Sequence, residues 1–259
     1  MRKSTIKSLY KCILRDVRKM TSTPGFRLRQ SVVPEQWGHG LLHPERDPMK
    51  PSPYLSEEDN ARWLRLQKFL APHGDDIDLV DLVRTKFREG ASITYGPALA
   101  GRLDEMMWAL QEVSHQRILA ESSSVTTTDN ITVDATGHFI DDHSDASANH
   151  FRYTYRIRVY NDSTDIIRIT GRHYIFDHGN QKREIVPRHS AQVVGLTPTI
   201  KPGEMFEYAS GVILETISGS VRGCLHAVRL LPDGSEEPFD VAVAPFSLQP
   251  TVRDAMMLQ

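Results

Sequence analysis

Cysteine and long apolar runs are scarce in this chain of 259 residues. Its two cysteines are Cys12, in a helical pattern, and Cys224, in a β-strand pattern. A disulfide framework or a thiolate metal cluster is therefore not expected. No segment approaches the roughly 20 consecutive apolar residues needed to cross a bilayer, and the amino terminus has no apolar secretion signal. We predict a protein that neither spans a membrane nor is secreted.

Acidic side chains are almost absent from the first 29 residues, where Asp16 is the single acid. The basic residues there are Arg2, Lys3, Lys7, Lys11, Arg15, Arg18, Lys19, Arg27 and Arg29. A basic, acid-poor, amphipathic segment suits mitochondrial import, and it equally suits docking to an acidic protein face or to nucleic acid. We predict the mitochondrial matrix, and both import and docking remain open as roles for this segment.

Apolar residues recur at helical spacing through the amino-terminal half, which is predicted to be a helical module over residues 1–120. A first helix is predicted over about 3–20, and a Pro-rich extended connection follows over 21–55. Further helices are predicted to begin at Ser56, at Asp76 and at Pro97, and Gly90 is expected to close the third.

The dominant period changes from 3.6 to 2 after a polar segment at 121–129, which is predicted to be a linker. Residues 151–159 alternate strictly, so one face should be core and the other a basic ladder of Arg152, Arg156 and Arg158. Short strands with regular turn signals predict an antiparallel sandwich of the immunoglobulin or fibronectin-III type over residues 130–249, with a tail at 250–259. The fold class is thus α+β in separate parts.

Several motifs in this second half form a specific series. They are Tyr153-Thr-Tyr155-Arg156-Ile157, Arg172-His173-Tyr174, Val193-Val194-Gly195, Pro202-Gly203-Glu204-x-Phe206-x-Tyr208-x-Ser210-Gly211, Gly219-x-Val221-x-Gly223 and Phe239-Asp240-Val241. This series resembles the ApaG domain, and the resemblance covers roughly residues 130–249. It implies a compact β-sandwich that acts mainly as a binding module.

One loop departs from the ApaG pattern. Ser190, Ala191 and Gln192 stand where the family has Gly-x-Gly before Val193-Val194-Gly195. Side chains there obstruct the close backbone approach by which a glycine-rich loop binds phosphate. The remaining candidates for an anion or ligand site are Arg172, His173, Arg188 and Gly195, together with His189.

Metal and catalytic signals are weak. The run 141–145, with His138 or His150 nearby, lacks a recognisable ligand spacing and is interpreted as a solvated insertion. Neither Cys224 nor any serine lies in a nucleophile motif with a base. We predict no metal site, no intrinsic cofactor and no enzymatic activity.

The helical half carries a second resemblance, to the LYR proteins. The family signature Leu-Tyr-Arg-x-x-Leu-Arg matches Leu9 to Arg15, with lysine in place of the motif arginine, and a later Arg-x-x-Phe-Arg setting matches Arg84 to Arg88. This resemblance implies a three-helix module, here with one additional helix, that binds mitochondrial acyl carrier protein. The carrier's acyl-phosphopantetheine arm would then enter between the helices. The implied partner-binding residues are Leu9, Tyr10, Lys11, Arg15, Arg18, Phe87 and Arg88.

Together the two resemblances predict a mitochondrial adaptor or assembly subunit. Its helices would recruit acyl carrier protein, and its sandwich would bind another protein in a respiratory complex or mitoribosome. Two alternatives stay open. One is an RNA- or ribosome-associated subunit that uses the basic helix and the arginine ladder. The other is a domain that binds a phosphate or a nucleotide.

Overall fold

The computed structural model describes residues 3–31, 38–44, 56–74, 77–93 and 96–250. Two compact units emerge from it: a helical unit within 1–30 and 56–121, and a β-sandwich unit within 31–55 and 122–259. No helix among the described residues is both long and apolar enough to serve as a membrane span.

The described part of the helical unit contains four α-helices: α1 (Lys3–Thr21), α2 (Glu57–Leu70), α3 (Leu79–Glu89) and α4 (Gly96–Glu121). The predicted helical half is confirmed. Ser56 caps α2 because its hydroxyl accepts a hydrogen bond from the Asp59 N–H at 3.0 Å. Asp78 caps α3 in the same way, whereas Asp76, the predicted start, lies outside the described residues. The fourth helix runs farther than its apolar pattern indicated.

Two apolar clusters hold these helices together. In the first, Ile13, Val17 and Met20 of α1 pack with Met106 and Ala120 of α4. The second is centred on α2 and consists of Trp63, Leu66, Leu70 and Leu82, with Leu28 and Trp108 at its edge. Because both clusters draw on α3, this helix ties α2 to the α1 and α4 pair.

The sandwich consists of two antiparallel sheets. Its strands are β1 (Gly40–His43), β2 (Ser123–Thr128), β3 (Ile131–Phe139), β4 (Phe151–Asn161), β5 (Ile166–Asp177), β6 (Arg183–Ala191), β7 (Thr199–Ile200), β8 (Met205–Leu214), β9 (Gly219–Leu230) and β10 (Glu236–Leu248). One sheet has the order β1-β8-β4-β3-β2 and the other β10-β9-β5-β6, with β7 paired to β5. The predicted antiparallel sandwich is confirmed.

Three strands lie where the sequence predicted none: β1, β2 and the two-residue β7, which pairs with β5. Residues 121–129, interpreted as a linker, contain β2, which pairs with β3 so that Ser123 faces Thr136. The Pro-rich stretch contributes β1, which pairs with β8. A Cβ atom on Gly40 would lie 2.6 Å from the Phe206 ring, so only glycine fits this close approach. The rest of the predicted extended connection at 32–37 and 45–55 lies outside the described residues.

The sandwich core follows the alternation predicted for residues 151–159. Phe151, Tyr153, Tyr155, Ile157 and Val159 are all buried. Rings from the facing sheet meet them, since Tyr155 packs edge to face on Tyr174 with ring centroids 6.2 Å apart. The core-facing half of the prediction for β4 is therefore correct.

Candidate functional site

Tyr10 of α1 and Phe87 of α3 are in direct contact. Their ring centroids are 4.7 Å apart and their planes are tilted by 54°. They are 77 positions apart in the sequence, and the two helices bring together the aromatic pair that the motif comparison singled out. Both rings are half-buried. An aromatic contact of this geometry contributes about 0.5–1.5 kcal/mol beyond the area that it buries.

A cavity of about 500 Å³ opens beside this pair within the helical unit. Its walls come from all four helices and are mainly apolar, with Ile6 and Ile13 of α1, Phe69 of α2, Phe87 of α3 and Leu103 of α4 among them. Packed protein interiors seldom leave voids larger than a water molecule. This volume falls in the ~300–1,000 Å³ range of small-molecule sites. The helical core thus has room for an apolar guest.

Exposed basic side chains lie on the two helices that carry the aromatic pair. Lys11, Arg15 and Arg18 of α1 and Arg88 of α3 are all exposed. Arg15 donates from Nε to Asp16 at 2.9 Å, and this hydrogen bond raises the pKa of its guanidinium. These cations give the surface of α1 and α3 a positive character that suits an acidic partner.

A buried polar network closes the inner side of the cavity. The Gln116 side chain accepts from the Arg29 N–H at 3.0 Å and donates to the Arg29 carbonyl at 2.8 Å. It also donates to Glu112, which forms an ion pair with Arg62 at 2.6 Å. The segment after α1 is thereby fixed to α4, so this cavity wall is structurally defined.

The arginines of β4 do not form an exposed ladder, which corrects the prediction. Arg156 is 2% exposed, and it donates to the Ser31 carbonyl at 2.9 Å. Arg158 and Glu207 of β8 form a short, largely buried ion pair. Burial lowers the pKa of Arg156 to about 10, and although burial opposes ionisation of Glu207, Arg158 and Arg156 hold the pKa of its carboxyl below the usual value. These cations are matched within the sandwich and are not available to phosphates.

Two of the predicted anion residues, Arg172 and His173, have partners within the sandwich. Arg172 donates from Nη1 to the Gln192 carbonyl at 3.3 Å, and the His173 Nδ1 lies 2.8 Å from the Val186 carbonyl oxygen. Arg188 is exposed, and Gly195 adopts a positive φ of 78° in the turn from Val193 to Leu196. The His189 side chain lies outside the described atoms. An anion role for these residues stays a prediction.

Comparison with known proteins identifies the sandwich. The family model for the ApaG domain matches residues 141–229. Protein ApaG of Xanthobacter autotrophicus is 36% identical over 127 residues, which cover 49% of this chain and 93% of that protein. The chain belongs to the ApaG domain family. Protein ApaG of Bordetella pertussis is 33% identical over 118 residues, or 46% of this chain and 86% of that protein.

A crystal structure from Bordetella pertussis, described there as a candidate ApaA protein, is also similar. It is 30% identical, covers 51% of this chain and 98% of that chain, and has a TM-score of 0.43. The family-model match lies wholly within the sandwich unit.

The altered loop of this ApaG domain keeps a conformation suited to glycine. Gln192 adopts a φ of 69°, in the left-handed region that favours glycine. It occupies the second glycine of the family's Gly-x-Gly. Gln192 therefore holds a backbone conformation that strains a residue with a side chain.

Sequence reasoning missed the partners of the β4 arginines and the cavity. Glu207 lies within the Pro202–Gly211 motif, but nothing in the spacing shows that β8 pairs with β4 so that Glu207 faces Arg158. The cavity likewise depends on how four helices pack.

Proposed function

We propose that this chain is a non-enzymatic mitochondrial adaptor whose helical unit binds acyl carrier protein. In this proposal the LYR-like arrangement of α1 and α3 accepts the carrier's acyl-phosphopantetheine arm, and the acyl chain occupies the cavity of the helical unit. The ApaG-type sandwich binds another protein in a larger assembly.

The observation that carries the proposal is the apolar cavity of about 500 Å³ beside the Tyr10 and Phe87 contact. An acyl chain entering such a space gains about 0.8 kcal/mol for each buried methylene. Nothing in this contribution requires a catalytic group, because binding alone removes apolar surface from water.

Charge supports the same partner. Lys11, Arg15, Arg18 and Arg88 are exposed on the two helices that meet at the aromatic pair. An acidic carrier would approach such a surface faster and with the correct orientation. Lysine at position 11 keeps the charge of the motif arginine but not its planar, bidentate geometry.

The RNA-associated alternative has lost one of its two supports, since Arg156 and Arg158 are paired with Glu207. The remaining support is the basic helix α1, which the adaptor proposal also uses. Salt dependence distinguishes the two, because RNA binding through phosphates should weaken more steeply with salt than carrier binding, to which the buried acyl chain adds a contribution that salt does not weaken.

The test is affinity purification of the tagged full-length chain from mitochondria, followed by intact-mass measurement of every small co-purifying protein. We expect acyl carrier protein with an acylated arm. The double substitution Tyr10→Ala with Phe87→Ala should abolish recovery, whereas Tyr10→Phe keeps the ring contact and should retain it. Absence of the carrier from the wild-type sample would overturn the proposal.

Variants that change the charge of one side chain test whether the basic surface of α1 contributes to binding of the carrier. Lys11→Glu should reduce recovery of the carrier, and Lys11→Arg should maintain it. Lys201→Glu, at an exposed position of the sandwich, is the matched control and should leave recovery unchanged. Equal effects of Lys11→Glu and Lys201→Glu would show that only overall charge matters.

A further inference from the structure

Three side chains with metal-ligand chemistry meet on the sheet that contains β9 and β10. Cys224 and His226 are two positions apart on β9, so they project from the same face. Asp240 of β10 is the direct partner of His226 in the strand register. One ligand atom from each of the three lies within 4.8 Å of the others, and His226 Nδ1 is 2.6 Å from Asp240 Oδ1.

This combination of sulfur, nitrogen and oxygen ligands suits a particular class of metal. Zinc takes thiolate, imidazole and carboxylate at about 2.0–2.3 Å in tetrahedral geometry, which places ligand atoms roughly 3.3–3.8 Å apart. To reach these separations, ligand atoms that are up to 4.8 Å apart must approach, and His226 and Asp240, now 2.6 Å apart, must separate slightly. Hard cations such as magnesium avoid thiolates, so they do not fit.

We propose that Cys224, His226 and Asp240 form a binding site for a zinc-class divalent transition-metal ion. Three protein ligands leave a fourth position open for water or for a ligand from a partner protein. The sequence gives little sign of this site, because Asp240 joins the other two only through the pairing of β9 with β10.

The three proposed ligands differ in how far each is exposed to solvent. Cys224 is 9% exposed, whereas the side chains of His226 and Asp240 are 15% and 46% exposed. A metal ion therefore has a path from solvent past the carboxylate to the thiol. Burial, together with Asp240, raises the pKa of the Cys224 thiol, so metal binding must release its proton.

Arg188 of β6 acts electrostatically on the same cluster. The hydrogen bond from His226 lowers the pKa of the Asp240 carboxyl, and Arg188 contributes in the same direction. Arg188 also favours the ionised form of Cys224.

The experiment is a cobalt(II) titration of the full-length, metal-free chain with a non-thiol reductant present. A cysteine ligand produces a thiolate-to-cobalt charge-transfer band, and zinc should displace it at one ion per chain. Cys224→Ser should abolish the band, while Cys12→Ser, which changes the other cysteine, should retain it. A missing band in the wild type, or a band that survives Cys224→Ser, would overturn the proposal.

Two further substitutions decide the question if Cys224→Ser fails to fold. His226→Gln and Asp240→Asn alter more exposed positions, and each should weaken zinc binding at least about tenfold, as measured by competition with a chromophoric chelator. Zinc affinity unchanged by both ligand substitutions would contradict the site.

Discussion

The two units differ in how completely they fill their interiors. In the sandwich, even the charged side chains of Arg156 and Glu207 are buried with partners. The helical unit instead has an open cavity of about 500 Å³, lined by buried apolar side chains such as Ile13 and half-buried ones such as Phe87. Strand pairing and a shared apolar face complete the core of the first unit during folding. The second has room for an apolar group, and a guest that bound there would add to its stability.

The largest effect is expected from Glu207→Gln in the sandwich. Removing one partner of a buried ion pair leaves an uncompensated charge, here on Arg156 and Arg158, so the free energy of unfolding should fall by about 3–5 kcal/mol. Denaturant unfolding followed by circular dichroism measures this loss. Glu184→Gln, at an exposed position of β6, is the control and should change stability by less than about 0.5 kcal/mol.

The same ion pair gives the sandwich a pH dependence with a defined sign. The pKa of Glu207 is lower in the folded protein than in the unfolded chain. Its contribution is therefore fully present above the unfolded value and is lost as pH falls through the folded value. Wild type should lose stability in this acidic range, and Glu207→Gln should lose less. Parallel acid profiles for the two proteins would contradict this assignment.

A matched pair of leucine substitutions compares the two interiors directly. Leu225→Ala, at a fully buried position of β9, should cost about 2–5 kcal/mol because it creates a new cavity. Leu103→Ala only enlarges an existing one and should cost less, about 1–2 kcal/mol. Amide hydrogen exchange, followed separately in β9 and α4, measures each unit by itself. Equal losses of stability from Leu225→Ala and Leu103→Ala would show that the cavity does not weaken the packing around Leu103.

A larger apolar side chain that fills the cavity should stabilise the helical unit. Ala109 lines the cavity, so Ala109→Phe should stabilise this unit by about 0.5–2 kcal/mol and should also prevent binding of an acyl chain. Ala61→Phe, at an exposed position of α2, is the matched control without either effect. Destabilisation by Ala109→Phe together with unchanged carrier binding would mean that the cavity is not the acyl site.

Local patterns predicted most of the elements because their causes are local. Strict alternation places β4, and side-chain caps such as Ser56 place helix starts. The strands that were not predicted depend on pairing with a neighbouring strand and not on a pattern of their own. Strand β1 exists because its four residues pair with β8, and β2 exists because a polar Ser and Thr run pairs with β3. Neither segment has an apolar alternation of its own.

Site residues show the same division. Tyr10 and Phe87 were expected to bind a partner because of a motif resemblance; the structure places their rings in contact, and their binding role stays a prediction. The burial of Arg156 and the cluster of Cys224, His226 and Asp240 were missed. Both arise from the register between neighbouring strands, which one strand's sequence does not encode.

The smallest expected effect concerns the altered ApaG loop. Gln192 holds a φ of 69°, a conformation that costs a residue with a side chain of order 1 kcal/mol relative to glycine. Gln192→Gly should therefore raise the free energy of unfolding of the sandwich by up to about 1 kcal/mol, measured by denaturant unfolding. Gln67→Gly within α2 is the matched control and should lower the stability of the helical unit by a similar amount, because glycine is unfavourable inside a helix. A loss of stability in both variants would mean that the Gln192 side chain contributes more than its backbone strain costs.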